Sequence, residues 1–192
     1  MPACPPRPWL ARELAQSTCW IRPLSAAAIS GIDQALAHAK ALNKPLLELT
    51  IDDFPLNEAA RTELQQAFAA TQEGWGLCLL RGFPVRRWSE HDARLAYWGM
   101  GLHVGVARPQ NAASEILNDV RDAGGSYHVK NGRGYNTNAK LDFHIDFCDV
   151  VALLCRRTAR AGGTSLVTSS LAVVQEIERS YPHLYETLHE PF

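Results

Sequence analysis

A histidine and an aspartate two residues apart, His144 and Asp146, are the side chains of this sequence best suited to chemistry. In an extended strand, residues i and i+2 point to the same face, so the imidazole and the carboxylate would leave one side of the strand together. Both groups are ligands for divalent metal ions. With a second histidine from elsewhere they would form the two-histidine, one-carboxylate arrangement, which holds iron(II) on one side and leaves positions open for a co-substrate and oxygen.

The sequence around this pair predicts the strand that would carry it. Apolar and polar residues alternate from position 141 to 147, with four apolar side chains on one face and three polar ones on the other (Leu141, Phe143, Ile145 and Phe147; Asp142, His144 and Asp146). The continuously apolar residues 150–155 predict a second strand, buried on both faces. A histidine and an aspartate at this spacing also occur by chance, and the alternative is that the polar residues form the solvent-exposed face of an amphipathic strand.

Further elements are predicted along the whole chain. Residues 1–24 are rich in proline and predict a poorly structured N-terminal arm. Apolar spacing and capping residues predict helices over residues 25–44 and 56–73, a helix from Ser89 to Trp98, and a last helix capped by Ser169 or Ser170, with Ser25 and Asn57 capping the first two. Strands are predicted at residues 45–51, 75–81, 114–120 and 166–167, and a loop at residues 124–138.

Composition excludes several classes of function. Of 192 residues 46% are hydrophobic, enough for a core, and 19 Lys and Arg against 20 Asp and Glu give no strong field to attract nucleic acid or a membrane surface. No apolar run reaches the roughly 20 residues of a membrane span, and no secretory signal opens the sequence. Five cysteines without a C-x-x-C pair predict neither a disulfide framework nor a zinc site. We therefore expect a cytoplasmic protein that acts through a local site; its oligomeric state stays open.

The order of features in the second half of the chain resembles one family of enzymes. The sequence NTNAKLDFHIDFCDVVALLC at residues 136–155 is followed by RRTARAGGTSLVTS at residues 156–169 and then by the last capped helix. This order is similar to that of the TauD/TfdA-type (taurine dioxygenase-like, clavaminate synthase-like) iron(II)/2-oxoglutarate-dependent oxygenases. Upstream, GWGLCLLRGFPV at residues 74–85 resembles the strand and turn that open the catalytic domain of that family. The resemblance covers about residues 25–192.

The resemblance implies an α+β fold, a double-stranded β-helix (jelly roll) with flanking N-terminal helices. It also implies that His144 and Asp146 are catalytic, face inward and supply the first two iron ligands, and that Ser165 hydrogen-bonds the carboxylate of 2-oxoglutarate. Asn136 and Asn138 would offer amide groups to the substrate, or would be ordinary turn residues. The implied reaction uses O2 to oxidise a small organic molecule and converts 2-oxoglutarate to succinate and CO2.

Two parts of the family pattern have no counterpart in the sequence. A third iron ligand, a histidine, and an arginine for the far carboxylate of 2-oxoglutarate are expected well downstream of Asp146. Only His183 and His189 follow, in or just beyond a predicted helix, where we expect surface histidines. The predicted strands also fall short of the eight in a jelly roll. We therefore expect residues 25–192 to be the N-terminal part of a catalytic domain, with an incomplete barrel that binds iron(II) poorly. The alternatives are a non-catalytic jelly-roll or β-sandwich binding module and an inactive remnant.

Overall fold

The computed structural model describes residues 7–111, 113–126 and 134–191. Its α-helices are α1 (Ala11–Ala15), α2 (Ala26–Leu42), α3 (Glu58–Glu73), α4 (Glu90–Gly101), α5 (Ser170–Ser180) and α6 (Pro182–Thr187). Two short strands, β1 (Ile21–Pro23) and β2 (Leu79–Arg81), pair in parallel, and 3-10 turns occur at Leu46–Glu48, Ile51–Asp53 and Gly134–Asn136. The chain divides into two compact units, one formed by Met1–Gly105 with Leu154–Phe192 and the other by Val106–Leu153. In the described ranges, no helix has the length and apolar character to cross a membrane.

The major helices begin at the capping residues that the sequence predicts. The side chains of Ser25, Asn57 and Ser89 each accept a hydrogen bond of 2.9–3.1 Å from the backbone N–H three residues on. Such a bond satisfies one of the N–H groups that a helix start leaves free and stabilises the fold by about 1 kcal/mol. The three predicted helices are thereby confirmed as α2, α3 and α4. The last helix, α5, is capped by Ser169.

Helices α2, α3 and α4 enclose the main core, in which Ile32 and Phe54 are the largest fully buried side chains. Gly99 shows how closely they pack. The sequence predicts that α4 ends before Gly99, yet the helix continues to Gly101. A Cβ atom at Gly99 would overlap the ring of Phe54, so this glycine is a packing position rather than a helix stop.

The N-terminal segment is more ordered than its prolines predict. Its described part, residues 7–23, contains α1 and β1. Trp9 is buried, its indole N–H donates a 2.7 Å hydrogen bond to the carbonyl oxygen of Trp75, and the two rings lie 6.1 Å apart. The backbone N–H of Leu79 donates to the carbonyl of Trp20 at the start of the β1–β2 pair. Because these aromatic and backbone contacts anchor it, the expectation of a poorly structured arm is wrong for residues 7–23.

Cysteine pairing differs from the expectation at one described position. Cys19 is disulfide-bonded, whereas Cys78, Cys148 and Cys155 are free thiols. An odd number of cysteines is compatible with such a pairing. The lack of a C-x-x-C pair excludes only pairings at that spacing, so the count alone could not identify Cys19.

The strand predicted at residues 45–51 is wrong because side chains close the backbone into turns there. The carboxylate of Asp53 accepts hydrogen bonds of 2.9 Å from both the backbone N–H and the hydroxyl of Thr50. Its other oxygen lies 2.7 Å from the ammonium of Lys44. The local hydrogen bonds compete with an extended ladder, and the chain forms two 3-10 turns. The strand predicted at residues 75–81 is confirmed only for Leu79–Arg81.

The strands predicted at residues 114–120, 141–147, 150–155 and 166–167 do not form in the structure. A strand needs a neighbour that takes its N–H and C=O groups. Among the described residues, no backbone hydrogen bond joins residues 141–147 to another segment. The part of the chain that the structure describes therefore has a two-stranded sheet beside its helices and no jelly roll.

Candidate metal centre

His144 lies in an irregular segment of the second unit with its imidazole exposed. Its Nδ1 atom is 2.7 Å from the backbone carbonyl oxygen of Asp142. Because a carbonyl oxygen only accepts, Nδ1 donates this bond, and Nε2 is the nitrogen with a lone pair to offer. Metal-binding histidines commonly fix their second ring nitrogen in this way. The local backbone thus prepares His144 to ligate an ion through Nε2.

Asp146 presents a carboxylate that makes no hydrogen bond or ion pair with any residue the structure describes. Its backbone carbonyl oxygen accepts a 2.9 Å hydrogen bond from the N–H of Cys148, which turns the chain after Phe147. Both members of the pair face solvent, contrary to the expectation that they face inward. The physical reason is the missing strand ladder, since nothing in the described second unit forms a layer over them.

Two candidate ligands do not complete a metal centre. Across the described ranges, no group of three His, Cys, Asp or Glu side chains could hold an ion. His183 lies in α6 and His189 just beyond it, and both are exposed, as predicted from the sequence. The Nδ1 atom of His189 is 2.8 Å from the carbonyl oxygen of Tyr185, one helical turn earlier. The third ligand therefore stays unassigned.

The three other predicted site residues are found in irregular backbone. Ser165 is exposed and follows Gly162 and Gly163, both with a φ of +71°, so the predicted glycine turn is present. Asn138 is exposed. The carbonyl oxygen of Asn136 accepts hydrogen bonds of 3.0 and 3.3 Å from two backbone N–H groups, an arrangement that favours the turn alternative for this residue. The roles of these residues toward substrate and co-substrate remain predictions.

The apolar half of the alternating segment is as exposed as the polar half. Phe143 is 66% exposed, Ile145 is 87% exposed and Phe147 is fully exposed. Burying an aliphatic or aromatic side chain of this size is worth about 1.5–3 kcal/mol. Three such side chains in a row beside an unpaired backbone indicate a segment that packs against another layer of polypeptide.

Asp53 is the buried charged residue that sequence reasoning missed. The Lys44 ammonium beside it, together with the N–H and hydroxyl of Thr50, lowers the pKa of the Asp53 carboxyl to about 2. The signal was present in the sequence, because a threonine followed three residues later by an acidic residue matches a capping box. The network ties the end of α2 to the turn before α3, a structural rather than a catalytic arrangement.

Comparison with known proteins defines the class to which the chain belongs. The family described as "Taurine catabolism dioxygenase TauD, TfdA family" matches residues 38–192. Because this match covers most of the chain, the chain belongs to that family, and the resemblance inferred from the sequence is confirmed.

Two curated relatives are similar to this chain over most of its length. The chain is 28% identical over 177 residues to "FR-33289 synthase" of Streptomyces rubellomurinus, a match covering 92% of this chain and 52% of that protein. It is 23% identical over 189 residues to "Taurine hydroxylase-like protein SAT17" of Stachybotrys chartarum, covering 95% of this chain and 49% of that protein. The chain thus spans about half the length of the curated relatives it matches.

Proposed function

We propose that the chain is the N-terminal half of an iron(II)/2-oxoglutarate-dependent dioxygenase domain that oxidises a small organic substrate with O2. The observation that carries the proposal is the pair His144 and Asp146 within the family-matched residues. The Nε2 atom of His144 and the carboxylate of Asp146 are both free to ligate among the described residues. Hydroxylation is the favoured reaction type because one relative is named a hydroxylase-like protein. Composition and charge favour an enzyme with neither nucleic acid nor a membrane as partner.

The donor set of this pair fits iron(II). Imidazole nitrogen and carboxylate oxygen are the ligand types of the facial iron sites, and thiolates are not needed. When bound, iron with 2-oxoglutarate supplies the oxidative chemistry that amino-acid side chains lack. His144 holds the metal through Nε2 while Asp142 fixes its ring orientation. Asp146 adds a negative charge that offsets part of the charge of the ion.

Positions outside this pair serve binding in the proposed enzyme. The hydroxyl of Ser165, after the glycine turn, donates a hydrogen bond to a carboxylate oxygen of 2-oxoglutarate. The amide of Asn138, which is exposed, contacts the organic substrate, whereas Asn136 is assigned to the turn. The proposal assigns the third metal ligand and the arginine that pairs with 2-oxoglutarate to further polypeptide of the domain. Its support is that the chain spans about half the length of the two curated relatives.

The fold proposed for the whole domain is the jelly roll. The jelly roll is supported by the exposed apolar side chains of Phe143, Ile145 and Phe147. An apolar face of this kind is stable when it packs against another layer of polypeptide. The matched relatives are about twice as long as the matched segment, which leaves ample length for the remaining strands. In that domain, residues 141–147 form a strand with separate polar and apolar faces, as the alternation predicts. Residues 150–155 form a second strand, which is buried on both faces.

Titration with Mn(II), a redox-inert mimic of iron(II), tests the proposed ligands. His144→Ala and Asp146→Ala should each weaken binding at least tenfold, a loss measured by electron paramagnetic resonance of free Mn(II). His183→Ala is the matched control, since it removes an exposed histidine elsewhere and should bind as the unsubstituted chain does. Equal Mn(II) affinity in His144→Ala and the unsubstituted chain contradicts the proposal and favours the non-catalytic module.

A further inference from the structure

We draw no further inference here: the strongest candidate, the apolar groove between residues 9–11 at the start of α1 and residues 167–177 at the start of α5, carries nothing because no feature of the described part of the chain shows what covers it.

Discussion

The imidazole Nδ1 of His144 donates a 2.7 Å hydrogen bond to the backbone carbonyl oxygen of Asp142, two residues earlier. This bond orients the ring and directs Nε2 away from its own backbone, although no strand forms around it. The orientation of the His144 ring is therefore set locally. Among the described residues, the chain has no third His, Cys, Asp or Glu side chain that could bind an ion together with His144 and Asp146.

That lack predicts the catalytic behaviour of the chain. The purified 192-residue chain, supplied with iron(II), 2-oxoglutarate and O2, should release no succinate above the background of a sample without protein. The reason is that two protein ligands hold iron(II) weakly, and among the described residues no third His, Cys, Asp or Glu side chain joins His144 and Asp146. Chromatographic measurement of succinate checks this, and release that disappears in Asp146→Ala would contradict it.

The exposed apolar side chains predict an asymmetry in stability between two phenylalanines. In EDTA, Phe147→Ser should change the free energy of unfolding by less than about 0.5 kcal/mol, because the side chain is fully exposed. Phe54→Ala should lower it by about 3–5 kcal/mol, since Phe54 is fully buried in the main core. Urea unfolding followed by circular dichroism compares the two. A large loss in Phe147→Ser would show that this ring is packed in solution.

The close contact between α4 and Phe54 predicts opposite outcomes at two glycines. Gly99→Ala introduces a methyl group where the ring of Phe54 lies, and overpacking of this kind costs about 1–3 kcal/mol. Gly101→Ala at the end of the same helix meets no atom within 4 Å and should be neutral or slightly stabilising. Thermal unfolding of both variants tests the prediction, which fails if Gly99→Ala is as stable as Gly101→Ala.

The pKa of Asp53 predicts how stability depends on pH. Its carboxyl has a pKa of about 2 in the folded chain against a usual value of 3.8, so the folded state favours the ionised form. This contribution is fully present above pH 3.8 and is lost as the pH falls through 2. Asp53→Asn should therefore be less stable at pH 7, and the difference from the unsubstituted chain should shrink between pH 4 and pH 2.

Asp52→Asn is the matched control for this measurement, because Asp52 is exposed and adjacent. It should follow the stability of the unsubstituted chain across the same pH range. Urea unfolding at pH 7, 4 and 2 provides the comparison. A constant difference between Asp53→Asn and the unsubstituted chain at all three values would show that the Lys44 contact does not favour the ionised carboxyl.

The elements that could be predicted from the sequence are those with local causes. Ser25, Asn57 and Ser89 satisfy their helix starts within three residues, and each helix forms at its cap. The turns at residues 45–53 also have a local cause, the hydrogen bonds between Thr50 and Asp53. A strand was predicted there because residues 45–51 are mostly apolar. Gly99 was misjudged because its role depends on Phe54, which is distant in sequence.

The strands around the candidate site could not be placed by pattern alone. Alternation at residues 141–147 predicts which side chains would share a face of a strand. The polar set contains the candidate ligands His144 and Asp146, and the apolar set contains Phe143 and Phe147. The alternation does not supply the neighbouring strand on which hydrogen bonding depends. The sequence therefore identifies His144 and Asp146 as candidates, and their role as metal ligands stays a prediction. Among the described residues, no neighbouring strand pairs with residues 141–147.

Paramagnetic line broadening by Mn(II) tests the central claim most directly, because it locates a bound ion residue by residue. In a ¹⁵N-labelled chain, substoichiometric Mn(II) should broaden the amide resonances of residues 143–147 first, and the effect should vanish in His144→Ala. Broadening centred on any other segment, or unchanged in His144→Ala, would show that His144 and Asp146 do not form a metal site.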